Sequence, residues 1–174
     1  DSLPIKVNHT HSGISEKITV SLNATETKAL LTKVTANYRA QIDEILLTAL
    51  TKALTNSLEV ENIWINLEGH GREEVVQNID ITRTIGWFTS MYPVLLSNEK
   101  DLAETLKYVK QILHRIPNKG VDYGILKYLN KDVAQKMKNQ QVEPVISFNY
   151  LGQFNQSDSN ALLLSYDTPT TSAN

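Results

Sequence analysis

The sequence predicts an α/β (α+β) sandwich, a mixed β-sheet with helices on one face. Two patterns predict it. Residues 62–68 alternate apolar and polar side chains with period two, as a half-buried strand does. Residues 40–57 instead place Ile42, Ile45, Leu46, Ala49, Leu50, Ala53 and Leu54 three and four positions apart. That spacing draws an apolar stripe along a helix, and the stripe must face a sheet. Strands separated by helices of this kind stack as two layers, which leaves one sheet face uncovered.

In chain order, residues 1–14 are polar, unpatterned and interrupted by Pro4 and Gly13, and they read as an extended leader. At 17–22, Ile18, Val20 and Leu22 alternate with polar residues as in a half-buried strand. Asn23 followed by Glu26 resembles a capping box and opens a short helix to about residue 34. The striped helix and the strand at 62–68 follow, then a Gly-rich loop, and then strand 91–96. Pro93 would cost a central strand a ladder hydrogen bond, so this strand belongs at an edge or is bulged there. Leu102, Leu106, Val109, Leu113 and Ile116 make 101–116 helical, and Pro117-Asn118-Lys119-Gly120 stops it. Short helices at 125–129 and 133–138 lead to a strand at 145–151 and a further candidate at 161–166, before a flexible Thr/Ser-rich tail at 167–174.

Composition excludes several functions. A chain of 174 residues is one domain by size and buries roughly two thirds of its unfolded surface without a metal or disulfide. Seventeen basic and nineteen acidic residues, interspersed, give a formal charge of -2. Such a field does not gather phosphates, so nucleic acid and anionic membrane are poor partners. The absence of Cys removes disulfides, a thiol nucleophile and Cys-ligated metal centres. No apolar run approaches a membrane span, and the expectation is a soluble, cytoplasmic chain.

Function belongs on the uncovered face. In strand 62–68, Ile63, Ile65 and Leu67 point one way and Trp64, Asn66 and Glu68 the other. In strand 145–151, if Ile146 and Phe148 face the helices, Asn149 joins Glu68 on the open side. A face carrying Trp, Asn, Glu and Ser is too polar for a core and too aromatic for plain solvent, which suggests a cleft or a partner.

Two motifs lie nearby. Glu68-Gly69-His70-Gly71-Arg72-Glu73 sits at a strand end, where glycines let the backbone turn sharply. It has neither the lysine and hydroxyl of a P-loop nor a dinucleotide fingerprint. A rim salt bridge from Glu68 to Arg72 or Arg83 is the alternative to a chemical role. Gly86-Trp87-Phe88-Thr89-Ser90-Met91-Tyr92-Pro93 gathers three aromatics and reads equally as a loop that packs over the core. His9-Thr10-His11 reads as leader rather than as a metal site, and no metal ligand set is assigned.

Together these segments resemble a family. Tyr38 to Leu47, Glu68 to Glu73, Arg83 to Pro93, Pro117 to Gly124 and Ile146 to Phe154 stand in the order of the signature segments of epimerization domains of nonribosomal peptide synthetases. The likeness covers about residues 15–156. Those domains are relatives of condensation domains, with a chloramphenicol-acetyltransferase-like fold of two lobes. Their His-His-x-x-x-Asp-Gly motif belongs to the first lobe and is absent here. The resemblance therefore implies that residues 15–166 are a C-terminal lobe truncated at both ends, inactive alone.

The implied reaction inverts Cα of an aminoacyl or peptidyl thioester carried on the phosphopantetheine of a carrier protein, with no cofactor bound by the chain itself. The implied partners are the N-terminal lobe with its His motif and an upstream peptidyl carrier protein. Removing the α-proton and settling charge on the thioester oxygen requires a base, a hydrogen-bond donor and exclusion of water. By resemblance Glu68 is one acid/base group, with Trp64 on its face to shield it. Asn149 and Tyr150 also match positions tied to activity. Because adjacent strand residues face opposite ways, Asn149 is favoured to orient the thioester, and Tyr150 reads rather as a packed aromatic unless a bulge before Gly152 turns it. Trp87, Phe88, Thr89 and Ser90 form the loop toward the first lobe and the substrate, and His70 reads as structural. The alternatives are a condensation lobe that forms amides, against which the Glu-Gly-His-Gly-Arg segment argues, and a lobe that only docks a carrier or neighbouring domain.

Overall fold

The computed structural model describes residues 16–73, 79–140 and 144–152. The leader, the strand candidate at 161–166 and the tail lie outside the described residues.

Asn23 caps the first helix as its spacing predicts. Its Oδ1 accepts the Glu26 N–H and Glu26 Oε2 accepts the Asn23 N–H, each at 2.9 Å. Helix α1 (Ala24–Ala29) continues through a π turn at Leu30–Val34 into α2 (Thr35–Tyr38), beyond the expected end at 34. Arg39 adopts the left-handed region (φ 47) and breaks it, while Lys110 donates to the Tyr38 and Arg39 carbonyls at 3.0 and 2.6 Å. The expected strand at 17–22 is not formed. Residues 16–23 are irregular, and Ile18, Val20 and Leu22 are exposed. Alternation builds a strand only where a neighbour takes up its N–H and C=O groups, and no described strand lies alongside.

Helix α3 (Ile42–Leu58) is present, but rotated from the expected stripe. Its buried side chains are Glu44, Leu47, Thr48, Thr51 and Thr55, with Leu50, Leu54 and Leu58 packed at the margin, whereas Ala49 and Ala53 are exposed. Threonine can serve a core face here because the hydroxyls of Thr48, Thr51 and Thr55 donate to the carbonyls of Glu44, Leu47 and Thr51, at 2.6 to 2.8 Å. Each polar atom is satisfied within the helix, and the methyl packs outward.

The sheet has the order β2-β1-β3. β1 (Asn62–Gly69) is central, antiparallel to β2 (Ser90–Ser97) and parallel to β3 (Ser147–Phe148). Its alternation matches expectation, with Ile63, Ile65 and Leu67 buried. Among the described residues β2 is an edge, as Pro93 requires. The Asn66 N–H points away from β2, to the Ile146 carbonyl at 2.8 Å. The facing pair Asn66 and Pro93 is thus a non-hydrogen-bonded one, so the missing proline donor faces outward and no ladder bond is lost. β3 is shorter than the expected 145–151. Its ladder ends at Leu67 and Phe148, beyond which Glu68 and Asn149 meet through side chains.

Asp101 caps α4 (Leu102–Arg115), accepting the Glu104 N–H at 2.9 Å, and extended Ile116 before Pro117 ends it. A tight turn at Pro117–Gly120 leads to α5 (Val121–Leu129) and then α6 (Lys131–Gln140), both longer than expected. Helices α3 and α4 cover one sheet face, where Leu47, Ile63, Ile65, Leu67, Val94, Leu96 and Val109 form the core. Burying each such side chain contributes roughly 1.5–3 kcal/mol. The other face is not bare, since α5 with Asn66 and Met91 encloses a hollow of about 650 Å³.

Candidate functional site

The site is built where β1 ends. Glu68 is the last side chain of the polar face before Gly69, and β3 runs parallel beside it. Parallel register sets Leu67 against Phe148, so the next residues, Glu68 and Asn149, stand side by side on the face away from the core. The Asn149 amide donates from Nδ2 to Glu68 Oε2 at 2.8 Å. Asn66, one turn of the pleat earlier, donates from its side chain to the Pro144 carbonyl at 3.2 Å and from its backbone to Ile146. These bonds fasten the short third strand where its own ladder is thin.

Glu68 and Asn149 open on a cavity of about 750 Å³ at the strand ends. Tyr150, half-buried and two residues past the end of β3, lines the same cavity. Tyr92, on β2 beside Leu67, lines it too. Burial foremost, then the Asp43 and Glu73 carboxylates, pushes the Tyr92 phenol above its ordinary value of 10.0.

The glycine loop is shaped by close approach. Gly71 has φ +65, and a Cβ there would fall 1.6 Å from the Phe88 carbonyl oxygen. The backbone of the 86–90 loop thus rests on Gly71 itself. Arg72 ties this loop to the segment before it. Its Nη1 donates to the Ile81 and Thr84 carbonyls at 2.6 and 2.9 Å, and its guanidinium lies 4.3 Å above the Phe88 ring. The alternative of a Glu68–Arg72 rim salt bridge is therefore not what forms, and no described ion pair joins Glu68 to Arg83. His70 is held at both nitrogens, Nδ1 accepting the Arg72 N–H at 3.0 Å and Nε2 lying 3.1 Å from Glu73, whose Oε1 also meets Lys119 Nζ at 3.3 Å.

The other expected positions separate. Thr89 lines both the Glu68 cavity and the hollow beneath α5, while Phe88 and Ser90 line only the latter. Trp87 is 90% exposed and lines neither. Trp64 shares the Glu68 face opposite Leu95, but four residues of strand place it roughly 13 Å away, outside the cavity lining. It therefore does not shield Glu68 as expected.

Sequence reasoning missed two residues of this cavity, Glu44 and His114. Glu44 is 3% exposed in the first turn of α3, and its Oε1 meets His114 Nε2, on the last turn of α4, at 2.9 Å. Glu44 Oε2 also accepts the Gln41 N–H at 2.8 Å, a capping contact found in the structure. Nothing local connects it to a histidine seventy positions away. Among the described residues, no three His, Cys, Asp or Glu side chains converge to hold a metal ion, and no helix is long and apolar enough to cross a membrane.

Comparison with known proteins places this geometry in context. Residues 2–173 match the condensation domain family. A linear gramicidin synthase polypeptide of Brevibacillus parabrevis is 52% identical over 82% of this chain and 2% of that protein. Gramicidin S synthase 1 of Brevibacillus brevis is 44% identical over 88% of this chain and 15% of its own length. The crystal structure of the epimerization domain from the third module of tyrocidine synthetase B superimposes with a TM-score of 0.69 at 45% identity, over 76% of this chain and 30% of that one. The chain thus spans a small fraction of the curated relatives it matches.

Proposed function

The chain belongs to the condensation domain family, and we propose that within it the chain is part of an epimerization domain of a nonribosomal peptide synthetase. The intact domain inverts Cα of an aminoacyl or peptidyl thioester from L to D. The observation that carries this reading is the Glu68 carboxylate at the mouth of the strand-end cavity, held by Asn149. The similarity to the tyrocidine synthetase epimerization domain supports it.

In this reading the Cα–H bond breaks toward one acid/base group, negative charge passes to the thioester oxygen, and a proton returns on the opposite face. Glu68 is one of the two groups. The histidine of the N-terminal lobe, joined over the cavity, is the other. Asn149 acts on Glu68 rather than on the thioester, because its amide is engaged with Oε2 and leaves Oε1 for the substrate proton. Tyr150 brings a phenol to the same cavity, a donor for the developing oxyanion. The thioester arrives on the phosphopantetheine arm of an upstream carrier protein and passes the Trp87 to Ser90 loop.

The test uses the synthetase module that contains this chain, loaded with an aminoacyl carrier in deuterated water. Deuterium should enter Cα without amide formation. Glu68→Gln should slow that exchange by about 10²–10⁴-fold, with stability changed by no more than about 0.5 kcal/mol. Undiminished exchange in Glu68→Gln removes Glu68 from the mechanism, and amide formation without exchange replaces the reading with condensation.

A further inference from the structure

The Glu68 cavity holds a second acid–base couple that the proposed reaction leaves idle. Glu44 is buried, with one carboxylate oxygen on the Gln41 N–H and the other on His114 Nε2. The His114 side chain is 66% exposed and lines the cavity beside Glu44, so the imidazole spans from a dry carboxylate to solvent. A carboxylate accepts and does not donate, which makes Nε2 the nitrogen that carries hydrogen and leaves the Nδ1 lone pair available in the neutral ring. Among the described residues Nδ1 has no hydrogen-bond partner. The other cations of the cavity are committed: His70 to Arg72 and Glu73, and Lys119 to Glu73. Lys110, one turn before His114, is held by the Tyr38 and Arg39 carbonyls. Among the described residues, His114 is thus the imidazole of this cavity with an open nitrogen and a ring held by Glu44.

Inversion between two opposed groups leaves each in the wrong protonation state for the next turnover. If Glu68 abstracted the α-proton, it now holds one that must leave before it can act again. We propose that His114, oriented by Glu44, is the proton relay that resets Glu68. This rests on the epimerization reading. The O–H bond of protonated Glu68 breaks, the proton passes through cavity water to Nδ1, and the imidazolium releases it to bulk solvent. The ring returns to neutral, and no electrons are exchanged. In the reverse direction the same path carries a proton inward. A cavity of about 750 Å³ has room for the waters of such a path.

A relay differs from a structural prop in that a small dissolved base can replace it. The synthetase module should be assayed for L-to-D conversion at low and high imidazole concentration, as wild type, His114→Ala and His114→Gln. The glutamine keeps a donor for Glu44 and so preserves the helix contact. Both variants should be slowed about tenfold or more at low buffer and recover as imidazole is added, while wild type stays indifferent. Wild-type rates in His114→Ala at low buffer overturn the relay, and so does a slow His114→Gln that imidazole does not restore. If the wild-type module itself leaves the α-carbon untouched, the epimerization reading has failed and not the relay alone.

Discussion

The two faces of β1 are made from alternate residues of one strand and do opposite work. Ile63, Ile65 and Leu67 disappear beneath α3 and α4, where their value lies in the area removed from water. Asn66 and Glu68 stay half-exposed, and each side chain is held by one hydrogen bond to or from β3 and its flank. On the covered face the exact partner of each side chain matters less than its volume. At Glu68 on the opposite face volume matters little, and the position of one oxygen matters a great deal. Stability and chemistry are therefore separable at adjacent positions of the same strand.

Substitution can break this separation most strongly on the covered face. Ile65 is 0% exposed between β2 and the helices, so Ile65→Ala should cost about 2–5 kcal/mol, read as a lowered urea midpoint. A smaller loss of about 1–3 kcal/mol is expected for Gly71→Ala, from positive φ and collision with the Phe88 backbone. Gly124, inside α5 with open space around it, is the control of opposite sign, where alanine should stabilise by up to about 1 kcal/mol. Equal effects at the two glycines would mean that the loop does not rest on Gly71.

The smallest effect appears only in alkali. Because the folded Tyr92 phenol holds its proton above the ordinary value of 10.0, its contribution is complete below that pH and is lost as pH rises through the raised value. Tyr92→Phe should flatten the fall in urea midpoint above about pH 10. An unchanged slope would place Tyr92 in water rather than in the cavity wall.

Local sequence patterns carried much of this architecture. The period of two in β1, the Asn23–Glu26 cap, the α4 stripe and the edge placement of Pro93 all survive in the fold: the cap closes within a few residues, and the other three meet the neighbouring elements that their patterns require. The reading of α3 was out of phase for a local reason as well: threonine counts as polar in a pattern, yet in a helix its hydroxyl is satisfied four residues back and its methyl joins the core. The strand read at 17–22 failed because a strand needs a neighbour as well as a pattern.

The candidate site divides the same way. Glu68 and Asn149 were legible as residues of one face, since alternation settles faces before any folding. Their hydrogen bond, the removal of Trp64 and Trp87 from the cavity and the engagement of Arg72 by the 79–90 loop depend on register and loop path, which no periodicity encodes. The Glu44–His114 contact is the clearest case, joining the start of one helix to the end of another. By itself the sequence determined which elements form and which side chains share a face, because those follow from backbone geometry repeated every two or 3.6 residues. Only the tertiary structure decided which of those side chains meet, because distance across a cavity is set by the packing of elements far apart in the chain.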